Sequence, residues 1–169
     1  MNLENDAIIK KDRLRFTKNK LSANLTLLAI VFNAFYFVSI YKSDVGNYYY
    51  KLIIGISVVY NLLFMLAAFL SSEGVKGYKM FYSYVLVLLG AGQVIRIFIL
   101  PRAARDAVVT LSEMEQRVMG DAQFTRVCIY LIVSAVLCVA AAVINIGKST
   151  TLAGYQAELE KKQKGVSHE

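Results

Sequence analysis

The chain has 169 residues, of which 57% are hydrophobic, and its formal net charge is +7 at pH 7. This apolar content is too high for a soluble domain of such length, and the apolar residues come in long runs, which predicts an integral membrane protein. The basic residues lie beside the ends of these runs, which argues against a nucleic-acid-binding surface.

Four runs are long enough to cross a bilayer, whose hydrocarbon core of about 30 Å needs roughly 20 helical residues. They cover residues 21–41, 52–70, 80–100 and 127–147. Because backbone groups in lipid must be hydrogen-bonded within the chain, each run is expected to be helical. The predicted fold is all-α: an integral membrane four-helix bundle over 21–147, a basic cytoplasmic segment over 1–20 and a cytoplasmic polar tail over 148–169.

The distribution of Lys and Arg predicts the orientation. On the side of the membrane that holds both termini there are 12 Lys and Arg residues: six in the first twenty residues, two between the second and third runs and four after the fourth. The opposite side has 6. Since basic residues collect in cytoplasmic loops, both termini are expected in the cytoplasm. The first run is longer than the signal-peptide range of about 7 to 15 apolar residues, so we interpret it as a retained anchor in a bacterial cytoplasmic membrane.

Residues 1–20 are polar and basic, and their apolar residues are too sparse to predict an amphipathic helix. The basic stretch that begins at Lys10 either fixes the orientation or also holds anionic lipid. In the first two runs, Asn33 and Asn61 each share one helical face with small or hydroxyl side chains. Such side chains allow close approach and hydrogen bonding between helices, so these faces are expected to point inward.

The third run carries the only charge within any of the four, Arg96, on one face with Gln93. A charge at the middle of a span costs about 2.5 to 3.5 kcal/mol on insertion scales, and less near an end. Because Arg96 lies near the end of its run, two interpretations stay open. Its side chain either extends to the lipid headgroups or binds an anionic solute or a buried carboxylate.

Residues 102–119, between the third and fourth runs, show helical periodicity. Apolar residues recur there at spacings of three and four: Ala104, Ala107, Val108, Leu111, Met114 and Val118. This pattern predicts an amphipathic helix, in one or two pieces, on the extracytoplasmic membrane surface or on a partner subunit. Ser112 and Glu115 would form a capping box at a break, and Gly120-Asp121 marks the stop before the next helix.

The fourth run contains both cysteines. Cys128 and Cys138 are ten residues apart on one helix, about 15 Å in rise, which is too far for a disulfide. Cys138 shares the small face of this helix with Ser134, so we interpret it as a packing residue rather than a redox group. With one histidine, His168, no metal site is predicted. The tail from Lys148 either continues this helix or frays.

One polar residue in each run is predicted at a similar depth, and together they are expected to form a hydrogen-bonded layer: Asn33, Asn61, Gln93 and Ser134. The candidate binding residues are Arg96, Gln93, Asn61 and Asn33. No Asp, Glu or His lies in any run, which removes the usual proton-coupling or cation-coupling groups of transporters. Nor does the sequence contain CxxC, G-x-S-x-G, H-E-x-x-H or a glycine-rich phosphate loop, so neither a cofactor nor an enzymatic activity is expected.

These features favour a non-catalytic polytopic membrane protein that acts as an accessory or structural subunit of a larger membrane complex. The alternative is a small oligomeric transporter or channel for a neutral or anionic solute, with the four candidate residues along its path. The expected partners are the lipid bilayer and either another membrane protein or further copies of the chain, with no nucleic acid.

Overall fold

A computed structural model describes residues 3–40, 48–106, 108–111, 114–117 and 119–166, and the side chains of residues 8, 9, 11–40, 52–106 and 119–161 among them. In chain order the elements are the helices α1 (Leu3–Phe16), α2 (Lys20–Ile40), α3 (Tyr48–Lys76), α4 (Met80–Ile97) and α5 (Leu100–Asp106), the strands β1 (Val108–Leu111) and β2 (Met114–Arg117), and the helix α6 (Asp121–Val166). Within these residues, four helices are long and apolar enough to cross a membrane: α2, α3, α4 joined with α5, and α6. The predicted all-α membrane bundle is confirmed, since all four spanning segments are helices and the β1–β2 pair lies outside them, and the chain is an integral multi-pass membrane protein.

The four spanning helices form a closed ring of neighbours. Helix α2 packs on α3 and α6, and α4 also packs on α3 and α6. We call the end of the bundle where α4 meets α5 the α5 end, and the opposite end, where α2 begins, the terminal end. The buried apolar core has two clusters, one around Phe64, Leu86 and Cys138 towards the terminal end and one around Tyr36 and Leu131 towards the α5 end.

The prediction of a helix over 102–119 is wrong in its extent. Helix α5 ends at Asp106, and β1 then pairs antiparallel with β2, with Val108 opposite Arg117 and Leu111 opposite Met114. The run Val108-Val109-Thr110 consists of β-branched residues, which favour a strand over a helix. The proposed capping box includes Ser112, which lies outside the described residues.

Helix α4 ends at Ile97, before the predicted limit of the third span at residue 100. There the amide of Phe98 donates to Ile95 O (3.1 Å) and that of Ile99 to Arg96 O (3.2 Å), which is the tighter pattern of a 3₁₀ turn. Pro101 has no N–H and cannot continue the ladder. A turn therefore separates α4 from α5.

Both terminal regions are more helical than their composition indicated. Residues 3–16 form α1 although no amphipathic helix was predicted there, and α1 packs against α6. The tail from Lys148 continues the fourth spanning helix rather than fraying, so α6 runs unbroken to Val166. Its 46 residues rise about 69 Å, more than twice the thickness of a hydrocarbon core. The last third of α6, with α1 beside it, thus forms a helical arm beyond the spanning part.

The turn between α3 and α4 is tight and fixes these helices as antiparallel neighbours. The amides of Gly77 and Lys79 both donate to Gly74 O at 3.2 Å. Tyr78, between them, has a φ of 57°, in the left-handed region that costs an L-residue about 1–2 kcal/mol. Gly74 allows close packing, because a Cβ at this position would lie 2.0 Å from the Tyr82 ring.

Candidate functional site

The four candidate residues meet at one level of the bundle, between the two apolar core clusters. Asn33 comes from α2, Asn61 from α3, and Gln93 and Arg96 from successive turns of α4. Asn33 Nδ2 donates to Asn61 Oδ1 (2.8 Å), and Gln93 Nε2 donates to Asn33 Oδ1 (3.0 Å). All four are buried, with Arg96 only 4% exposed. We refer to these four residues as the Arg96 layer.

The Arg96 guanidinium cross-links α4 to both neighbouring amides. Its Nη1 donates to Asn33 Oδ1 and Asn61 Oδ1, each at 3.1 Å. Its Nη2 donates to the hydroxyl (3.1 Å) and the carbonyl oxygen (3.3 Å) of Ser57 on α3. At 4% exposure the side chain is folded into the bundle and does not extend to the lipid headgroups. The partners seen in these four bonds are neutral oxygens.

Two aromatic rings enclose the same cation. Arg96 Cζ lies 4.2 Å from the centroid of the Tyr36 ring and 5.0 Å from that of Tyr60. Cation–π contacts of this kind contribute about 2 kcal/mol when they are desolvated. Arg96 also occupies the last turn of α4, where the helix dipole favours a positive charge. These contacts offset the cost of burying a charge that would be expensive in lipid.

The helical faces seen in the sequence include some of the residues that surround Arg96. Tyr36 is three residues after Asn33, and Ser57 is four before Asn61, so both belong to the polar helical faces that were expected to point inward. Tyr60 adjoins Asn61 and therefore projects about 100° away from it, so that face did not include Tyr60. The hydroxyl of Tyr60 packs against Gly92 on α4, where a Cβ would lie 2.2 Å from its oxygen, so a larger residue at position 92 would displace this ring.

Ser134 is not a member of the Arg96 layer, and its predicted place there is wrong. Its hydroxyl donates to the backbone oxygen of Ala29 at 2.9 Å, one turn of α2 away from Asn33. A serine hydroxyl is short and readily bonds a backbone carbonyl, so shared depth alone does not bring it to the amides. It still fulfils the expected role of joining two spanning helices, α6 and α2.

A second buried polar cluster joins the helices at the terminal end. Asn145 on α6 accepts from Asn19 Nδ2 (3.0 Å) and donates to the hydroxyl of Ser83 on α4 (2.8 Å). Lys148 Nζ donates to Asn19 Oδ1 at 3.1 Å. Asn145 is seven residues after Cys138 and lies on the same small face of the fourth run, whereas Asn19 precedes the first run and belongs to none of the predicted faces. This cluster fixes the start of α2 against α6.

The Arg96 layer also has an acceptor without a donor in the described part of the chain. Gln93 Oε1 is fully buried and has no hydrogen-bond partner there. A buried acceptor left in this state costs about 1–3 kcal/mol, and an ordered water commonly fills such a position. The amides of the layer donate and accept hydrogen bonds and the guanidinium donates them, so the layer can cross-link helices or bind a polar group.

A pocket of about 280 Å³ lies beside the layer, between α3 and α4. Its wall is almost entirely apolar and includes Ile53, Ile95 and Ile99, with Tyr60 and Arg96 behind them. The Nη atoms of Arg96 are engaged by Asn33, Asn61 and Ser57, of which Ser57 also lines the pocket. The pocket therefore offers a hydrocarbon surface rather than a binding site for a solvated anion.

In the described residues no three His, Cys, Asp or Glu side chains are grouped closely enough to hold a metal ion. Cys128 and Cys138 are both free thiols. Comparison of the chain with protein-family models, with curated proteins and with solved structures finds no match to any of them.

Proposed function

We propose that this protein is a non-catalytic polytopic membrane protein that acts by association, as an accessory or structural subunit of a larger membrane complex. The observation that carries the proposal is the state of the Arg96 layer. The polar groups that would have to line a solute path instead bond to one another across α2, α3 and α4, and Arg96 is 4% exposed. A layer of this kind sets the register of the helices and gives the bundle one defined shape.

The rest of the molecule supports a role in association. The spanning helices turn large apolar side chains outward on all sides, so the bundle is built to sit among lipids and other membrane helices. The arm formed by α1 and the end of α6 extends well beyond the hydrocarbon core. It provides a helical surface outside the bilayer that a partner subunit would contact.

The orientation belongs to the same proposal. Both termini lie in the cytoplasm of a bacterial cell, because the terminal end of the bundle carries the larger number of Lys and Arg residues. The arm then faces the cytoplasm, and α5 with the β1–β2 pair lies at the extracytoplasmic surface. Labelling of cysteines placed in the arm and in α5, from one side of the membrane at a time, tests this arrangement.

Purification under mild detergent from the native membrane tests the functional proposal. The tagged chain should retain one or more specific membrane proteins in fixed stoichiometry, and the isolated chain in liposomes should pass no neutral or anionic solute. Recovery of a lone monomer together with measurable flux would overturn the proposal and favour the small transporter or channel. A variant that ends at residue 150 keeps the bundle but lacks the part of α6 that forms the arm with α1, so it shows whether the partner needs the arm or only the bundle.

A further inference from the structure

The lipid-facing side of the bundle has a groove between α4 and α6. The groove has a volume of about 640 Å³, and its wall is almost wholly apolar. Small residues from both helices form its floor, among them Gly90 and Ala91 on α4 and Ala135 and Ala140 on α6. The helices approach closely here, since a Cβ on Gly90 would lie 3.2 Å from the carbonyl oxygen of Ala135. The groove lies within the spans, where hydrocarbon is the surrounding solvent.

A second pocket, of about 320 Å³, lies at the α5 end of the same pair of helices. Its apolar part is formed by Ile97, Phe98 and Phe124, and its polar part by Arg102, Arg105 and Asp106. Unlike the groove, this pocket is close to evenly divided between polar and apolar surface. Because the pocket lies at the end of a span, its three charged side chains are at the depth of the lipid headgroups.

The groove and the pocket follow each other along the same pair of helices, since Val94 of the groove comes three residues before Ile97 of the pocket. On α4 the lining residues of the groove repeat every three or four residues, which is one helical face, and the turn after Ile97 then leads to Arg102 on α5: the α4 residues are Val87, Ala91 and Val94. On the antiparallel α6, Phe124 lies on the same helical face as Ala135 and Val139, because an α-helix turns by about 100° per residue. A molecule with an apolar tail in the groove would therefore place its polar end in the pocket.

The charges of the pocket are arranged as separate positive and negative sites. Arg105 Nη2 is 3.2 Å from Asp121 Oδ1, and its guanidinium lies 4.8 Å from the centroid of the Phe124 ring. Arg102 and Asp106 line the same pocket but are not within ion-pair distance of each other. A guanidinium has five N–H donors, so Arg105 can bind a second anion beside Asp121. Among the described side chains, Arg102 and Arg105 are balanced in charge by Asp106 and Asp121.

We propose that this surface binds a membrane phospholipid whose headgroup joins a phosphate to a primary ammonium. The phosphate is bound by Arg102 and Arg105, since guanidinium groups bind phosphate oxygens in bidentate geometry. The ammonium donates to the Asp106 carboxylate, and an acyl chain lies in the groove over Ala91 and Ala135. This proposal does not depend on the subunit role proposed above.

The charge balance selects this lipid class over its neighbours. A headgroup with net negative charge would place no cation beside Asp106 and would be repelled by it. A choline headgroup has a quaternary ammonium without an N–H, so it cannot donate a hydrogen bond to the carboxylate. A free phosphate ester would use the arginines but leave the groove empty.

Nanodiscs of phosphatidylcholine with equal minor fractions of phosphatidylethanolamine and phosphatidylglycerol test the proposal, with native mass spectrometry of the lipid that the full chain retains. The wild type should retain phosphatidylethanolamine in preference to the other two. Arg102→Gln should reduce that retention about five-fold. Asp106→Asn should abolish the preference over phosphatidylglycerol. Arg126→Gln is the matched control, because Arg126 is exposed at the same end of the bundle and does not line the pocket.

The groove is tested separately. Ala91→Phe fills it and should reduce lipid retention, whereas Leu88→Phe adds a ring to the exposed face of the same helix outside the groove and should not. The proposal is overturned if phosphatidylglycerol is retained in preference, if Arg126→Gln acts as strongly as Arg102→Gln, or if inorganic phosphate displaces the bound lipid. A photocrosslinker at position 91 that captures a polypeptide rather than a lipid in the native membrane would also overturn it.

Discussion

Replacing Asn33 with leucine tests the energetic role of the Arg96 layer. Asn33 is the residue through which α2 takes part, since its amide accepts from Gln93 and from Arg96 and donates to Asn61. Leucine has a similar size and keeps the helix, but it removes all three hydrogen bonds. It also leaves the Arg96 guanidinium with one fewer acceptor inside the bundle.

The magnitude follows from the number of bonds. Hydrogen bonds between helices in membranes average about 0.6 kcal/mol, so three predict a loss of about 2 kcal/mol in the free energy of unfolding. Because one of the three partners is charged, the loss should be larger than this average. In the Asn33→Leu variant, Arg96→Met should lower the free energy of unfolding by less than it does in the wild type. A double-mutant cycle should give a coupling energy of about 1 kcal/mol or more.

Reversible unfolding in mixed detergent and SDS micelles, followed by far-UV circular dichroism, measures these differences. Asn24→Leu is the matched control, since Asn24 is on the same helix, receives the same substitution and is exposed. We expect it to change the free energy of unfolding by less than about 0.5 kcal/mol. If Asn33→Leu is no more costly than Asn24→Leu, the layer does not hold the bundle together.

Two further predictions concern the backbone of the helices. Gly90→Leu should cost about 1–3 kcal/mol by forcing α4 away from α6, whereas Gly55→Leu, at a position with open space, should be neutral or stabilising; the same unfolding assay compares them. Tyr78→Gly should raise the free energy of unfolding by about 1 kcal/mol, since glycine adopts a φ of 57° without strain. Tyr84→Gly, at an exposed helical position, should lower it by a similar amount. Changes of the same sign in the two variants would contradict this prediction.

The apolar runs predicted the architecture because bilayer thickness dictates their length. Residues 21–41, 52–70 and 127–147 all fall within or at the limits of α2, α3 and α6, apart from residue 41, which is outside the described residues. The helical faces also identified the amides correctly, since Asn33, Asn61 and Gln93 do point inward and bond to each other. A polar side chain in lipid has few alternatives to a partner on another helix, so its direction is predictable.

The remaining features depend on contacts between distant residues. Whether Arg96 extends outward or folds inward is decided by two rings and a serine on neighbouring helices, which a single helical face does not reveal. Helix α1 has no apolar stripe, and it packs on an extension of α6 whose length the tail composition left open. The hairpin after α5 carries a periodicity compatible with a helix, and there the β-branched residues favour strands.

The interior beside Arg96 is expected to be closed to bulk water, because its polar groups are buried and bonded to one another. Ser57→Cys places a thiol of nearly the same size next to Nη2, in a chain whose native Cys128 and Cys138 are replaced by alanine. A charged, membrane-impermeant thiol reagent applied from both sides of the membrane should leave this cysteine unmodified while it modifies Thr150→Cys, at an exposed position on α6. Modification of the cysteine at position 57 at a comparable rate would show a wet path through the bundle and contradict the account.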